Sequence, residues 1–198
     1  MWRMDRNSPD RGGERRERKD RERRPPRPLD ARRLDDMALA YVARFATSAG
    51  KLSDYLRRKL RERGWEGEGE ADIGGIVARF VALGYIDDSV FARGKAQGLL
   101  RRGYGARRID QALGAAGIAE SLREDVRGSE AERRRAALIM ARKRRFGPFS
   151  AAERLDPAIR EKQVAAMLRA GHPLAHARAV VNALSQEALE EWTDEAGD

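Results

Sequence analysis

Apolar residues in the middle of the chain return at the three- and four-residue spacing of helices. Met37, Ala38, Tyr41, Val42 and Phe45 form one stripe, Leu52, Leu56 and Leu60 a second, and Ile73, Ile76, Val77, Phe80 and Leu83 a third. Nothing alternates with a period of two over a useful length, so the pattern predicts an all-α fold.

The predicted helices share a way of ending: a bulky residue, three residues, a glycine, then a second bulky residue. Leu60, Gly64 and Trp65 are the first case; Phe80, Gly84 and Tyr85, then Leu99, Gly103 and Tyr104, then Leu113, Gly117 and Ile118 follow. Met167, Gly171 and His172 make a fifth, with a histidine where an apolar residue would pack better. A glycine in the left-handed conformation just past a helix brings the flanking pair together in a Schellman cap. Gly64, Gly117 and Gly171 lie 53 and 54 residues apart, each closing an arginine-bearing helix. Such spacing marks an array of units of about 50 residues, each of about three helices. Helix one of the units is expected at 36–47, 88–102 and 130–145, helix two at 52–63, 106–116 and 158–170, and helix three at 71–83, 119–127 and 174–184. Gly147 and Pro148 must break the helix before them.

Charge divides the chain further. The net charge is +9. Residues 1–33 hold 13 Arg and Lys against 7 Asp and Glu, with little apolar content, and read as a disordered basic arm. Residues 187–198 hold six acids and no base. The expected organisation is therefore the arm at 1–33, repeats at 34–86, 87–128 and 129–184, and an acidic tail at 185–198. The repeats are basic on their own account, which points to a polyanion or an acidic protein surface as partner. Without cysteine, disulfides and thiolate chemistry are excluded. No apolar run approaches the ~20 residues that span a bilayer, and 1–33 lacks an apolar signal core, so a cytoplasmic location is expected.

Candidate chemistry is sparse. Asp87 and Asp88, in "LGYIDDSVFAR", follow the Gly84 cap and precede a helical run, so they read as a helix start rather than a catalytic or metal-binding pair. His172 and His176 are four apart, but Pro173 at the first helical position would leave His172 outside the helix as a cap, and no HExxH glutamate follows. "GEGEADIGG" lacks the context of a phosphate loop. No catalytic residue, metal or cofactor is expected. The cations say more. In "LSDYLRRKLRERG" the Leu52, Leu56, Leu60 stripe turns Arg58 and Arg61 away from the core and sets Arg57 at its edge. Arg107 faces outward and Arg108 follows it, Arg101 and Arg102 end the preceding helix, and Arg142, Lys143, Arg144 and Arg145 form a run of four. These eleven are the candidate contacts for a partner or nucleic acid.

"LGYIDDSVFAR" followed by "LLRRGYGARRIDQALGAAGI" resembles the second repeat of the RecX family, regulators of the bacterial recombinase RecA. "DYLRRKLRERGW" is similar to its first repeat, and "RKRRFGPF" with "EKQVAAMLRAGHPLAHARAVV" to its third, so the resemblance covers about residues 35–184. It implies three tandem three-helix, helix-turn-helix-like repeats in an elongated, curved array. It also implies a non-catalytic protein that binds RecA filaments on single-stranded DNA and restrains filament growth, ATP hydrolysis and strand exchange; a monomer with weak duplex binding besides is expected. The alternative is a direct DNA-binding, helix-turn-helix-like regulator without a recombinase partner; it would need base-reading side chains at the start of a recognition helix and usually a dimer, and no dimer zipper is evident.

Overall fold

The computed structural model describes residues 27–151 and 156–197, and among these residues ten α-helices follow one another along the chain. The first repeat holds α1 (Ala31–Arg44), α2 (Ala49–Arg63) and α3 (Ile73–Ala82), and the second α4 (Asp88–Leu100), α5 (Ala106–Gly114) and α6 (Glu120–Asp125). The third holds α7 (Glu130–Arg144), α8 (Pro157–Arg169) and α9 (Leu174–Asn182), with α10 (Gln186–Asp194) after it. Each repeat has its own core. Leu34, Leu52, Leu56, Ile76 and Phe80 fill the first, Leu99, Ile109, Leu113 and Ile118 the second, and Leu138, Met140, Met167 and Val180 the third. Helix α7 serves two cores, since Ala136 packs in the second while Ala137, Met140 and Ala141 pack in the third.

Side chains start most helices by accepting orphan backbone N–H bonds. Ser48 Oγ accepts from Lys51 N at 3.2 Å, and Asp87 Oδ1 from Ser89 N and Val90 N at 2.9 Å. Ser129 and Glu132 form a reciprocal capping box at α7. Asp87 is thus the expected helix start. Asp88 does more than sit in the first turn: its Oδ1 accepts from Ala49 N at 2.9 Å and ties the second repeat to the first.

Glycine caps end the helices at Gly84, Gly103, Gly117 and Gly171. The residue after each glycine donates its N–H to the carbonyl five residues back: Tyr85 to Phe80, Tyr104 to Leu99, Ile118 to Leu113 and His172 to Met167, all at 3.0–3.1 Å. The histidine case is therefore a full Schellman cap. Gly64 departs from the expectation. Its φ is +80°, but its ψ of 170° sends the chain out extended, and Leu29 pairs across the Gly64–Trp65 link in an isolated parallel bridge. Helix α7 ends in the same manner as the glycine-capped helices, with Arg145 in the left-handed position, φ 56°.

The second helices of the repeats dock head to tail. The start of α2 meets the cap of α5, where Ser48 Oγ donates to the Ala116 carbonyl at 2.6 Å and a Cβ on Gly50 would lie 2.8 Å from Gly117 Cα. The start of α5 meets the cap of α8 likewise, with Gly105 N donating to Ala170 O at 3.0 Å and Arg107 N to Gly171 O at 3.2 Å. Positive helix ends thus face negative ones along the array. Among the described residues no repeat precedes the first. Leu29 N donates to Gly64 O at 3.0 Å, the bond that Arg107 N makes to the matching Gly171 carbonyl.

That role corrects the expected start of the fold. Leu29 is fully buried, Asp30 caps α1, and α1 begins at Ala31, so residues 29–33 belong to the first repeat and not to the arm. The charged run around Leu34 hid the turn that carries it. Residues 1–26 of the arm lie outside the described residues. The acidic segment at 185–198, set apart as a tail, contains α10, which packs on α7 through Leu189 and Trp192, with Thr193 also buried. Arg134 donates to the Trp192 carbonyl at 2.7 Å and stands over its ring, while His176 meets the ring edge-on. Glu130 joins Arg133, Arg134 and His176 at 2.8–3.0 Å. Partial burial works against its charge, yet these hydrogen bonds hold its pKa down to about 2.

Candidate functional site

All eleven cations expected to face a partner are exposed. They do not form one surface. Arg57 and Arg58 are held along α2 by Asp54 at 3.5 Å and Glu62 at 3.7 Å, and Arg61 beside them has no acidic partner among the described residues. Arg101 lines a separate concavity with Gln97, Glu132 and Arg135. Arg142 pairs with Glu190 of α10 and lies over Phe149, so its charge is engaged within the chain. Arg145 holds the left-handed cap, and Arg107 stands exposed in the first turn of α5.

Four of the candidates do converge. Arg102, Arg108, Lys143 and Arg144, with Arg169, line a groove of about 450 Å³ between the second and third repeats, with Tyr104 at its edge and, among the described residues, no carboxylate in its wall. Arg169 escaped the sequence reading. It stands two residues before Gly171 as Arg101 stands two before Gly103, a last-turn cation in a repeated cap.

The fold explains why cations collect there. The C-terminal ends of α4, α7 and α8 come together at the groove, and each leaves unpaired carbonyls and a partial negative charge. Arg102 Nε donates to Gly98 O at 3.1 Å and Lys143 Nζ to Arg102 O at 3.3 Å, so these two answer the helix ends in part. Arg108, Arg144 and Arg169 have no acidic partner among the described residues. Their charge faces outward, in the manner of a site for a polyanion.

His172 lies against this wall. It is buried, and its Nε2 lies 3.0 Å from the Gly103 carbonyl, which requires Nε2 to carry the proton and donate. Burial pushes its pKa down, against the pull of that carbonyl. The ring therefore joins the α8 cap to the α4 cap. It is not the α9 N-cap expected from Pro173; Pro173 itself is the N-cap and α9 starts at Leu174. His176 points instead to Glu130, so the histidines serve separate networks. No cluster of three metal-capable side chains occurs among the described residues.

The family described as "RecX, second three-helix domain" matches residues 87–126. The chain is 32% identical over 174 residues to "Regulatory protein RecX" of Myxococcus xanthus, covering 83% of this chain and 93% of that protein. It is 39% identical over 89 residues to "Regulatory protein RecX" of Thermus thermophilus, covering 45% of this chain and 59% of that one. The fold is similar to the crystal structure of RecX from Lactobacillus salivarius, with a TM-score of 0.60, 17% identity, and 76% and 94% of the two chains covered.

Proposed function

Because the chain belongs to the RecX family of regulatory proteins, we propose that it binds RecA filaments on single-stranded DNA and restrains their growth and ATP hydrolysis. The observation that carries the reading is the basic groove, without a carboxylate in its wall among the described residues, set within a tandem array. A filament is itself a repeating polymer, and an array of repeats offers it successive faces. Outward cations suit a lattice of recombinase carboxylates and DNA phosphates. Regulation then follows from a difference in affinity: the chain favours whichever filament state it binds more tightly, by that ratio. Binding an epitope shared by neighbouring subunits would let one copy affect many, so inhibition is expected below one protein per recombinase.

The test is DNA-dependent ATP hydrolysis by the recombinase, titrated with the wild type and with a variant carrying Arg61→Glu, Arg107→Glu and Arg144→Glu. These are exposed cations, one from each repeat, without acidic partners among the described residues. The variant should keep its helicity by circular dichroism and need a higher concentration to inhibit. Equal inhibition by the folded variant would remove the basic surface from the mechanism. No inhibition by the wild type would overturn the recombinase partner and leave direct DNA binding ahead.

A further inference from the structure

We infer that the groove between the second and third repeats is a subsite for single-stranded nucleic acid, in which Tyr104 stacks a base while Arg108, Arg144 and Arg169 hold the backbone phosphates. The inference deepens the preceding reading, from which it takes only that such a strand is within reach. Three observations carry it. The wall supplies five cations and, among the described residues, no carboxylate, a surplus that an anionic ligand answers. Arg108, Arg144 and Arg169 come from α5, α7 and α8 and are not spent on acids among the described residues, whereas Arg102 and Lys143 also bond helix-end carbonyls. Tyr104, at the groove edge, keeps 36% of its surface exposed.

The backbone that carries Tyr104 is also fixed in place. Its backbone N–H closes the α4 cap on Leu99 O at 3.1 Å, and the next residue, Gly105, is locked to Ala170 O at 3.0 Å. The Arg102 guanidinium stands over one face of the ring, 5.8 Å from its centroid. The other face of an exposed aromatic ring takes the π-face of a base whatever its identity. A carboxylate on a protein surface would satisfy the arginines but would have no use for the ring. A duplex would reach the arginines with its phosphates yet keep its bases stacked away from Tyr104. Single-stranded nucleic acid is the occupant that uses both.

Fluorescence anisotropy of a short labelled oligothymidylate and of a duplex of the same length, titrated with the full chain across a salt series, tests this. Tyr104→Ala should weaken oligothymidylate binding roughly 10-fold, within the range for loss of one base stack, and leave the duplex unchanged. Tyr104→Phe should bind like the wild type. Arg108→Gln, Arg144→Gln and Arg169→Gln together should weaken binding to both probes and flatten the log–log salt dependence on the single strand by about 2. Circular dichroism checks each variant's fold. The subsite is overturned if Tyr104→Ala binds the oligothymidylate as the wild type does, if it loses both probes equally, or if the triple variant keeps the wild-type salt slope. The recombinase assay separates the two claims. Groove variants that lose inhibition but keep oligothymidylate binding would hand the groove to an acidic protein surface and overturn the subsite alone. A wild type that fails to inhibit would overturn the regulator reading alone, with the subsite judged by the anisotropy data.

Discussion

Adding one methyl group at Gly50 should destabilise the protein, and adding one at Gly94 should stabilise it. Both glycines lie inside helices, where alanine is intrinsically better by about 1 kcal/mol. Around Gly94 nothing lies within 4 Å of the position a Cβ would take, so Gly94→Ala should gain about 0.5–1 kcal/mol. At Gly50 the same atom would stand 2.7 Å from the Ala116 carbonyl oxygen and 2.8 Å from Gly117 Cα. Both obstacles are backbone and cannot rotate away. Overpacking of this kind costs about 1–3 kcal/mol. Moving α2 off the cap would also stretch the 2.6 Å bond from Ser48 to Ala116, worth about 1 kcal/mol more. The penalty exceeds the helical gain, leaving Gly50→Ala less stable by about 1–3 kcal/mol on these magnitudes. In a chain of this size that is a fall of about 2–12 °C in midpoint, against a rise of about 1–4 °C for Gly94→Ala. Thermal melting followed by helical circular dichroism measures both. A Gly50→Ala midpoint raised as much as that of Gly94→Ala would refute backbone-to-backbone docking of the first two repeats.

Leu29→Ala should cost about 2–5 kcal/mol by thermal melting, because the side chain is fully buried; a loss under about 0.5 kcal/mol would return Leu29 to the arm. Arg145→Gly should gain about 1 kcal/mol by relieving a left-handed arginine, and an unchanged midpoint would show no strain there. His172 has a folded pKa below its usual value, so the stability it contributes is complete above about pH 6.5 and is lost as pH falls through the lowered folded value. Melting at descending pH should show that loss, and His172→Gln should flatten it over the same window; an identical pH profile in the variant would exclude the ring.

Much of this was legible because the repeats punctuate themselves locally. A cap needs only residues five apart, so the glycine pattern located the ends of α3, α4, α5 and α8 without reference to packing. Asp87 was readable for the same reason. The misses fall where the partner is distant in sequence. Leu29 looks like one apolar residue in a basic arm until Gly64, 35 residues on, is seen to need a donor. Helix α10 has Leu189 and Trp192 three apart, a spacing too short to outweigh six acids, and its docking rests on Arg134 and His176 from two other helices. Arg142 and Arg144 are alike in the sequence, and only the placement of Glu190 separates an engaged cation from an open one.

Head-to-tail docking of α2, α5 and α8 also links the fold to the site. A helix end that meets another helix end must come close, which explains glycine at 50, 105, 117 and 171, where a Cβ would lie within 3 Å of neighbouring backbone. The same arrangement seats the α5 start on the α8 cap. It thereby brings Arg108 of one repeat beside Arg169 of the next, with Tyr104 fixed at the junction. The groove is therefore a product of the contact between repeats. Neither repeat contains it alone, and loosening the Gly105–Gly171 contact should dissolve the site before it unfolds either core.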